Sequence, residues 1–172
     1  FAEKSRRFVS PQQALELKRR LNDGIIAVGV FVDESINSVV KLITDGIISA
    51  VQLHGSEDCE YISDLRKLTT APIIKAFKIT NSHDIEMANN SNADFVMLDS
   101  GGGTGQLFDH SFISGMNRPF FLAGGITTDN VKSVIEKAKP YAVDASSSLE
   151  TDGLKDINKM RSFVNALRYR KD

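Results

Sequence analysis

One pattern runs the length of the chain: a short apolar run, then a stretch of helical period, then another apolar run. Ile26-Ala27-Val28-Gly29-Val30-Phe31-Val32 is uninterrupted apolar sequence, which predicts a strand buried on both faces, as in parallel sheets. Ser10-Pro11-Gln12-Gln13 predicts a helix start, with Ser10 as N-cap, Pro11 at the first helical position and Gln13 closing a capping box. Leu15, Leu17 and Leu21 continue that helix until Asp23-Gly24 ends it. Further helices are expected over 35–45, 57–68, 82–90, 108–113, 127–137 and 155–167. Strands are expected over 48–53, 72–77, 95–98, 120–123 and 141–144.

Six strands alternating with seven helices mean an α/β fold, a parallel sheet covered by helices. An open doubly wound sheet and a closed (β/α)8 TIM barrel both satisfy the periodicity. Polar or glycine residues end nearly every strand: Gln52-Leu53-His54-Gly55, Asp99, Gly124-Gly125 and Asp144-Ala145-Ser146-Ser147. Contributions from successive strands suit a barrel, because an open sheet concentrates its site at one switch point. The chain opens on Phe1-Ala2-Glu3-Lys4 and then a helix, so the barrel reading expects six visible strands, with the first two absent or incomplete. Residues 1–172 are read as a single barrel domain, N-terminally incomplete, whose open edges invite self-association.

Composition narrows the partners. A formal net charge of −1 offers no general attraction to nucleic acid or an anionic membrane. The basic residues Arg168, Arg170 and Lys171 read as a solvated helix end. No apolar run approaches the ~20 residues that span a bilayer. A single cysteine, Cys59, fits a reducing, cytoplasmic compartment, and on its helix it is expected to pack. With three histidines and one cysteine, a structural zinc site is not expected.

The strand ends carry the chemistry. Leu122-Ala123-Gly124-Gly125-Ile126-Thr127 is expected to follow a strand and open a helix, so that its amides and the helix dipole favour an anion. Val143-Asp144-Ala145-Ser146-Ser147-Ser148 repeats the arrangement one strand later. Two such loops after the last two strands match the phosphate site of these barrels, although glycines alone serve a tight turn equally well. Asp99 ends a buried strand beside Gly101-Gly102-Gly103-Thr104-Gly105. Burial there would raise its pKa toward that of a general acid, and the glycines would let the loop close over ligand. Bracing the loop is the competing role for Asp99. Arg6 and Arg7, ahead of the first helix, suit a two-pronged clamp on a carboxylate, or a solvated surface. Gln52 and His54 fall on one side of their strand by period-two alternation.

Taken together, these motifs resemble the phosphoribosylanthranilate isomerase family essentially end to end. The resemblance is carried by Ser5-Arg6-Arg7-Phe8-Val9-Ser10-Pro11, by Val28-Gly29-Val30-Phe31 and by Val51-Gln52-Leu53-His54-Gly55. It continues through Leu98-Asp99 with Gly102-Gly103-Thr104-Gly105 and Phe108-Asp109. The end of the chain adds Phe121 to Ile126 with Asn130-Val131, then Val143-Asp144, Ser146-Ser147 and Glu150. It implies an isomerase of tryptophan biosynthesis acting on a small phosphorylated substrate, N-(5-phosphoribosyl)anthranilate, by an Amadori rearrangement without cofactor or metal. Asp99 matches the family's general acid, and Arg7 its anthranilate-carboxylate ligand. Gly124, Gly125, Ser146 and Ser147 match the phosphate loops, and Asp144 a strand-end carboxylate near substrate.

Two departures stand out. Ser148 occupies a position where the family usually has glycine. The family's general base, a cysteine in a first-strand Lys-(Ile/Val)-Cys-Gly motif, has no counterpart among these residues, and Cys59 lies on another element. On that reading about 40 residues, two strands and a helix, are absent. A non-catalytic phosphate-binding fragment and another phosphate-binding barrel enzyme are the alternatives. The 172 residues as given are expected to show no isomerase turnover, and the same chain with a cysteine-bearing first strand restored is expected to be active. A turnover assay on the two proteins checks this.

Overall fold

The computed structural model of the chain describes residues 1–100 and 110–168. The expected glycine loop at 101–105, Phe108 and Asp109, and the basic residues Arg170 and Lys171 lie outside the described residues.

The elements run in chain order as α1 (Pro11–Lys18), β1 (Val28–Phe31), α2 (Ile36–Thr44), β2 (Ala50–Leu53), α3 (Cys59–Leu68) and β3 (Ile73–Lys78). They continue as α4 (Ser82–Asn89), β4 (Phe95–Asp99), a 3₁₀ helix (His110–Gly115), β5 (Phe120–Ala123), α5 (Val131–Ala138) and β6 (Ala142–Val143). A short 3₁₀ turn (Ser147–Leu149), β7 (Glu150–Thr151), β8 (Leu154–Lys155) and α6 (Ile157–Arg168) complete them. The first six strands stand in the order β1-β2-β3-β4-β5-β6, with no reversal. A doubly wound sheet reverses direction at its switch point, whereas a (β/α)8 barrel adds each strand to the same side. The strand order therefore decides for six consecutive strands of the barrel arrangement. Along the chain, two compact units are distinguished: residues 1–76 with 91–96, and 77–90 with 97–172.

In the first unit β1 pairs with β2, and β2 with β3, all parallel, with Phe31 opposite Leu53 and Gln52 opposite Ile74. Phe31, Val51, Leu53 and Ile73 form one core with Val39 and Leu42 of α2 and Ile62 and Leu65 of α3. The helix residues recur three apart, so one stripe of each helix is buried. Each such fully buried side chain contributes about 1.5–3 kcal/mol, more than any exposed ion pair here can. The predicted α1 capping box is present: Gln13 N–H donates to Ser10 Oγ (3.3 Å) and Ser10 N–H to Gln13 Oε1 (2.9 Å).

β1 corrects the sequence reading. Phe31 is 1% exposed, but Val28 and Val30 are 41% and 38% exposed. β1 is the edge strand of the described sheet, and only its Phe31 face has helices to pack against. An apolar run thus did not mean burial on both faces. Cys59 is likewise exposed, at the first position of α3, rather than packed.

In the second unit β5 pairs parallel with β6, and α5 packs on α6. Some expected boundaries shift here, those of α5 and α6 among them. Residues 127–130 form a capped turn before α5 begins at Val131, and Lys155 belongs to β8 rather than to the final helix. β7 and β8 pair antiparallel through Asp152-Gly153, whose positive φ values (51° and 79°) are those of a type I′ hairpin turn.

The largest electrostatic commitment in the first unit is a buried ion pair. Lys75 Nζ donates to Glu57 Oε2 (2.9 Å) and to Gly55 O (2.7 Å), with side chains only 7% and 1% exposed. Removing one member leaves a buried charge uncompensated, which costs about 3–5 kcal/mol, against less than about 1 kcal/mol for an exposed pair. Glu57→Gln is therefore expected to lower unfolding free energy by about 3 kcal/mol or more. Disrupting the exposed pair Lys41–Asp45 with Lys41→Ala should cost under about 1 kcal/mol. Urea denaturation of both variants checks the contrast.

Candidate active site

The residues singled out by sequence fall into two groups, one in each unit. In the first unit, Arg7 is exposed in the turn preceding α1, where its own N–H donates to Ser5 Oγ (3.1 Å). Gln52 is buried near the end of β2 and His54 is exposed just beyond it. Their side chains meet as expected for alternate positions, Gln52 Nε2 lying 3.0 Å from His54 Nδ1.

Behind this strand end lies a polar network that sequence reasoning missed. Glu57 Oε1 accepts from Asp33 N–H (2.8 Å), and Glu57 Oε2 from Gly55 N–H (2.9 Å) as well as from Lys75. Asp33 in turn accepts from the Ser56 hydroxyl (2.7 Å) and N–H (2.6 Å), which holds its carboxyl below the usual range. The Tyr61 hydroxyl donates to Glu34 O (2.8 Å). Burial, aided by the nearby carboxylates of Glu57, Glu34 and Asp33, pushes its pKa up to about 12, so it stays a neutral donor. The loops after β1 and β2 are thereby fixed to one carboxylate. The available signal was Lys75 itself: a charge inside Ile73-Ile74-Lys75-Ala76-Phe77 requires a buried partner.

In the second unit the structure brings Asp99 and Gly124 together. Asp99 is half-buried at the end of β4. A Cβ on Gly124 would lie 2.8 Å from Asp99 Oδ1, 2.8 Å from Ser100 N and 2.0 Å from Ser100 Oγ. The backbone after β5 therefore runs directly against the end of β4, and Gly124 also has φ +86°. Only glycine satisfies both conditions. Gly125 follows at φ +64°.

The anion argument changes in detail. The Thr127 N–H is already taken by Asn130 Oδ1 (2.9 Å), and Asn130 Nδ2 donates to Gly125 O (2.8 Å). The helix behind this loop starts only at Val131, so Gly124 and Gly125 do not sit at its first turn as the sequence reading supposed. The dipole of α5, felt only within a turn of the helix end, therefore does not reach Gly124 and Gly125.

After β6, Asp144 is exposed, its N–H donating to Leu122 O (2.8 Å). Ser146 O accepts from Leu149 N–H (3.1 Å), closing the short turn over Ser147. Ser148 takes a non-glycine conformation, since its φ is not positive, and its hydroxyl donates to Ile126 O (2.6 Å). Serine at this position thus joins the loop after β6 to the loop after β5. Lys155 also reaches this loop, with Nζ donating to Ser146 O (2.9 Å) and Ser146 Oγ (3.0 Å). Among the described residues no cluster of three or more His, Cys, Asp or Glu could hold a metal ion. No helix among them is long and apolar enough to cross a membrane.

The chain is similar to known proteins. A family model described as N-(5′-phosphoribosyl)anthranilate (PRA) isomerase matches residues 1–166. The N-(5′-phosphoribosyl)anthranilate isomerase of Endomicrobium trichonymphae is 39% identical over 160 residues, covering 90% of this chain and 78% of that protein. The crystal structure of the Thermotoga maritima phosphoribosyl anthranilate isomerase superposes with a TM-score of 0.87 at 33% identity, covering 96% of this chain and 84% of the other. Another, solved in complex with reduced 1-(o-carboxyphenylamino)-1-deoxyribulose 5-phosphate, gives a TM-score of 0.83 at 31% identity, covering 96% of this chain and 83% of that one.

Gly124→Ala must adopt a left-handed conformation and displace Ser100, whereas Gly153→Ala, at φ +79° with nothing within 4 Å of the added carbon, meets only the first cost. Gly153→Ala is expected to lose about 1–2 kcal/mol, and Gly124→Ala at least about 1 kcal/mol more. Chemical denaturation of the two variants side by side measures the difference.

Proposed function

Because the chain belongs to the N-(5′-phosphoribosyl)anthranilate isomerase family, we propose that its strand-end residues divide that family's chemistry between an acid and a phosphate grip. The chain is an isomerase of tryptophan biosynthesis, and the reaction is the Amadori rearrangement of N-(5-phosphoribosyl)anthranilate to 1-(2-carboxyphenylamino)-1-deoxyribulose 5-phosphate. In this assignment the loops at Gly124-Gly125 and Ser146-Ser147 hold the phosphate. Asp99, as general acid, gives its proton to the furanose ring oxygen. The ring C–O bond breaks and a Schiff base forms with the anthranilate nitrogen. Loss of the C2 proton to a base then gives an enolamine that tautomerises to the ketose, so one proton enters and one leaves. Arg7 is assigned to the anthranilate carboxylate, for which a guanidinium offers two parallel donors, and Gln52, His54 and Asp144 to contacts with the substrate. Cys59, exposed on α3 and outside any Lys-(Ile/Val)-Cys-Gly motif, is not assigned as the base.

One observation supports the acid assignment above all: the close approach of Gly124 to Asp99 and Ser100. A sugar phosphate anchored on the loop after β5 has its ring a few bonds from the anchor, within reach of a carboxyl that touches the same loop. A soluble, cytoplasmic enzyme without nucleic-acid or membrane partners fits the net charge of −1, and the open strand edges suit self-association.

Asp99→Asn keeps the shape of the side chain and removes the acid. In a chain that carries a cysteine-bearing first strand, turnover is expected to fall by about 10²–10⁴-fold, the usual contribution of a general acid. Affinity for inorganic phosphate should be unchanged. Steady-state kinetics and a phosphate titration check both, and lost phosphate affinity would make Asp99 a structural residue instead.

A further inference from the structure

We infer that Lys155 is a positioning residue for phosphate binding, acting through the hydroxyl of Ser146; this rests on reading the loop after β6 as a phosphate loop. An ammonium has three protons, and all three are committed. Lys155 Nζ donates to Ser146 O (2.9 Å), to Ser146 Oγ (3.0 Å) and to Glu150 Oε1 (2.9 Å). None is left for a ligand, and the charge is matched by a Glu150 side chain only 6% exposed. Lys155 is therefore not itself a phosphate ligand.

Its effect falls on Ser146. A hydroxyl has one donor and two acceptor sites, and Lys155 fills one acceptor site. The Ser146 O–H then keeps its own proton for another acceptor, with the oxygen fixed in place. The loop carbonyl does not depend on the lysine, because Ser146 O receives the Leu149 N–H (3.1 Å) as well as Lys155. Phosphate binding benefits when donors are oriented in advance, since no side-chain freedom is lost on binding.

The lysine is delivered by a rigid support. Glu150 and Lys155 face each other across the β7–β8 hairpin, which is closed by the Asp152-Gly153 turn. Thr151 Oγ1 donates to Asp156 Oδ2 (2.8 Å), while Asp156 Oδ1 accepts from Asn158 N–H (2.8 Å) and Lys159 N–H (3.2 Å) at the start of α6. Lys159 Nζ donates to Glu150 O (2.6 Å). The hairpin is thus tied to α6 at its base, and Lys155 extends from it to the loop.

The test is a calorimetric titration of the 172-residue chain with inorganic phosphate, together with melting temperatures, for the unsubstituted chain, K155M, S146A and the double variant. K155M is expected to weaken phosphate by up to about tenfold, the cost of ordering one freed side chain on binding. S146A should weaken it at least as much, and the double variant no more than S146A alone, as residues acting through one another must. Unchanged phosphate affinity in K155M, with S146A weakened, overturns the role of Lys155 and leaves the phosphate loop standing. Additive losses overturn it too, because Lys155 would then touch phosphate independently of Ser146. If the unsubstituted chain binds no phosphate, the phosphate-loop reading fails and this inference fails with it.

Discussion

A strand packed within a parallel sheet has little tolerance for polar groups except at its ends, and this constraint orders the chain. Interior positions such as Val51, Leu53, Ile73 and Leu122 are buried, and the polar residues singled out by sequence fall at or near where the backbone leaves the sheet. Each such exit then has unpaired backbone groups to satisfy. In the first unit the loops after β1 and β2 meet that demand by converging on Glu57, whose two oxygens accept from Asp33, Gly55 and Lys75. In the second, Gly124 dispenses with a side chain altogether and lets backbone meet backbone at the end of β4. Hydrogen bonding at one exit and close packing at the other answer the same need.

Two lysines show how burial sets a charge's role. Lys75 is enclosed and must be neutralised by Glu57, so its value lies in what is lost if the partner is removed. Lys155 is half-exposed and could be solvated, yet it is held on three acceptors, one of them a carboxylate shielded from water. The first organises backbone around a buried charge. The second steadies the loop after β6 from the surface.

Much of this was legible in the residues. Ser10 and Gln13 form the capping box their spacing predicts, β5 has the expected bounds, and Gln52 and His54 meet because strand side chains alternate. Less was legible where tertiary context prevails over local pattern. The apolar run at β1 cannot reveal that the Val28 and Val30 face of its strand is left uncovered. The start of α5 was misplaced because Thr127 and Asn130 close a turn on each other, a side-chain pairing that mimics the onset of a helix. Lys155 looked like a helical residue, although Thr151-Asp152-Gly153-Leu154 contains the Asp-Gly pair that marks a hairpin. Two strands of two residues are too short for periodicity to register, so only the turn chemistry could have shown them.

That hairpin also sets a ruler on the surface of the molecule. Successive strand residues point to opposite faces, so the Asp152-Gly153 turn decides whether position 155 or its neighbour looks toward Ser146. Surface turns ordinarily absorb insertions and deletions with little effect. Here a one-residue change of length would turn the ammonium away and present the side chain of Leu154 in its place. The turn holds no assigned group, yet its length decides which side chain reaches the loop after β6.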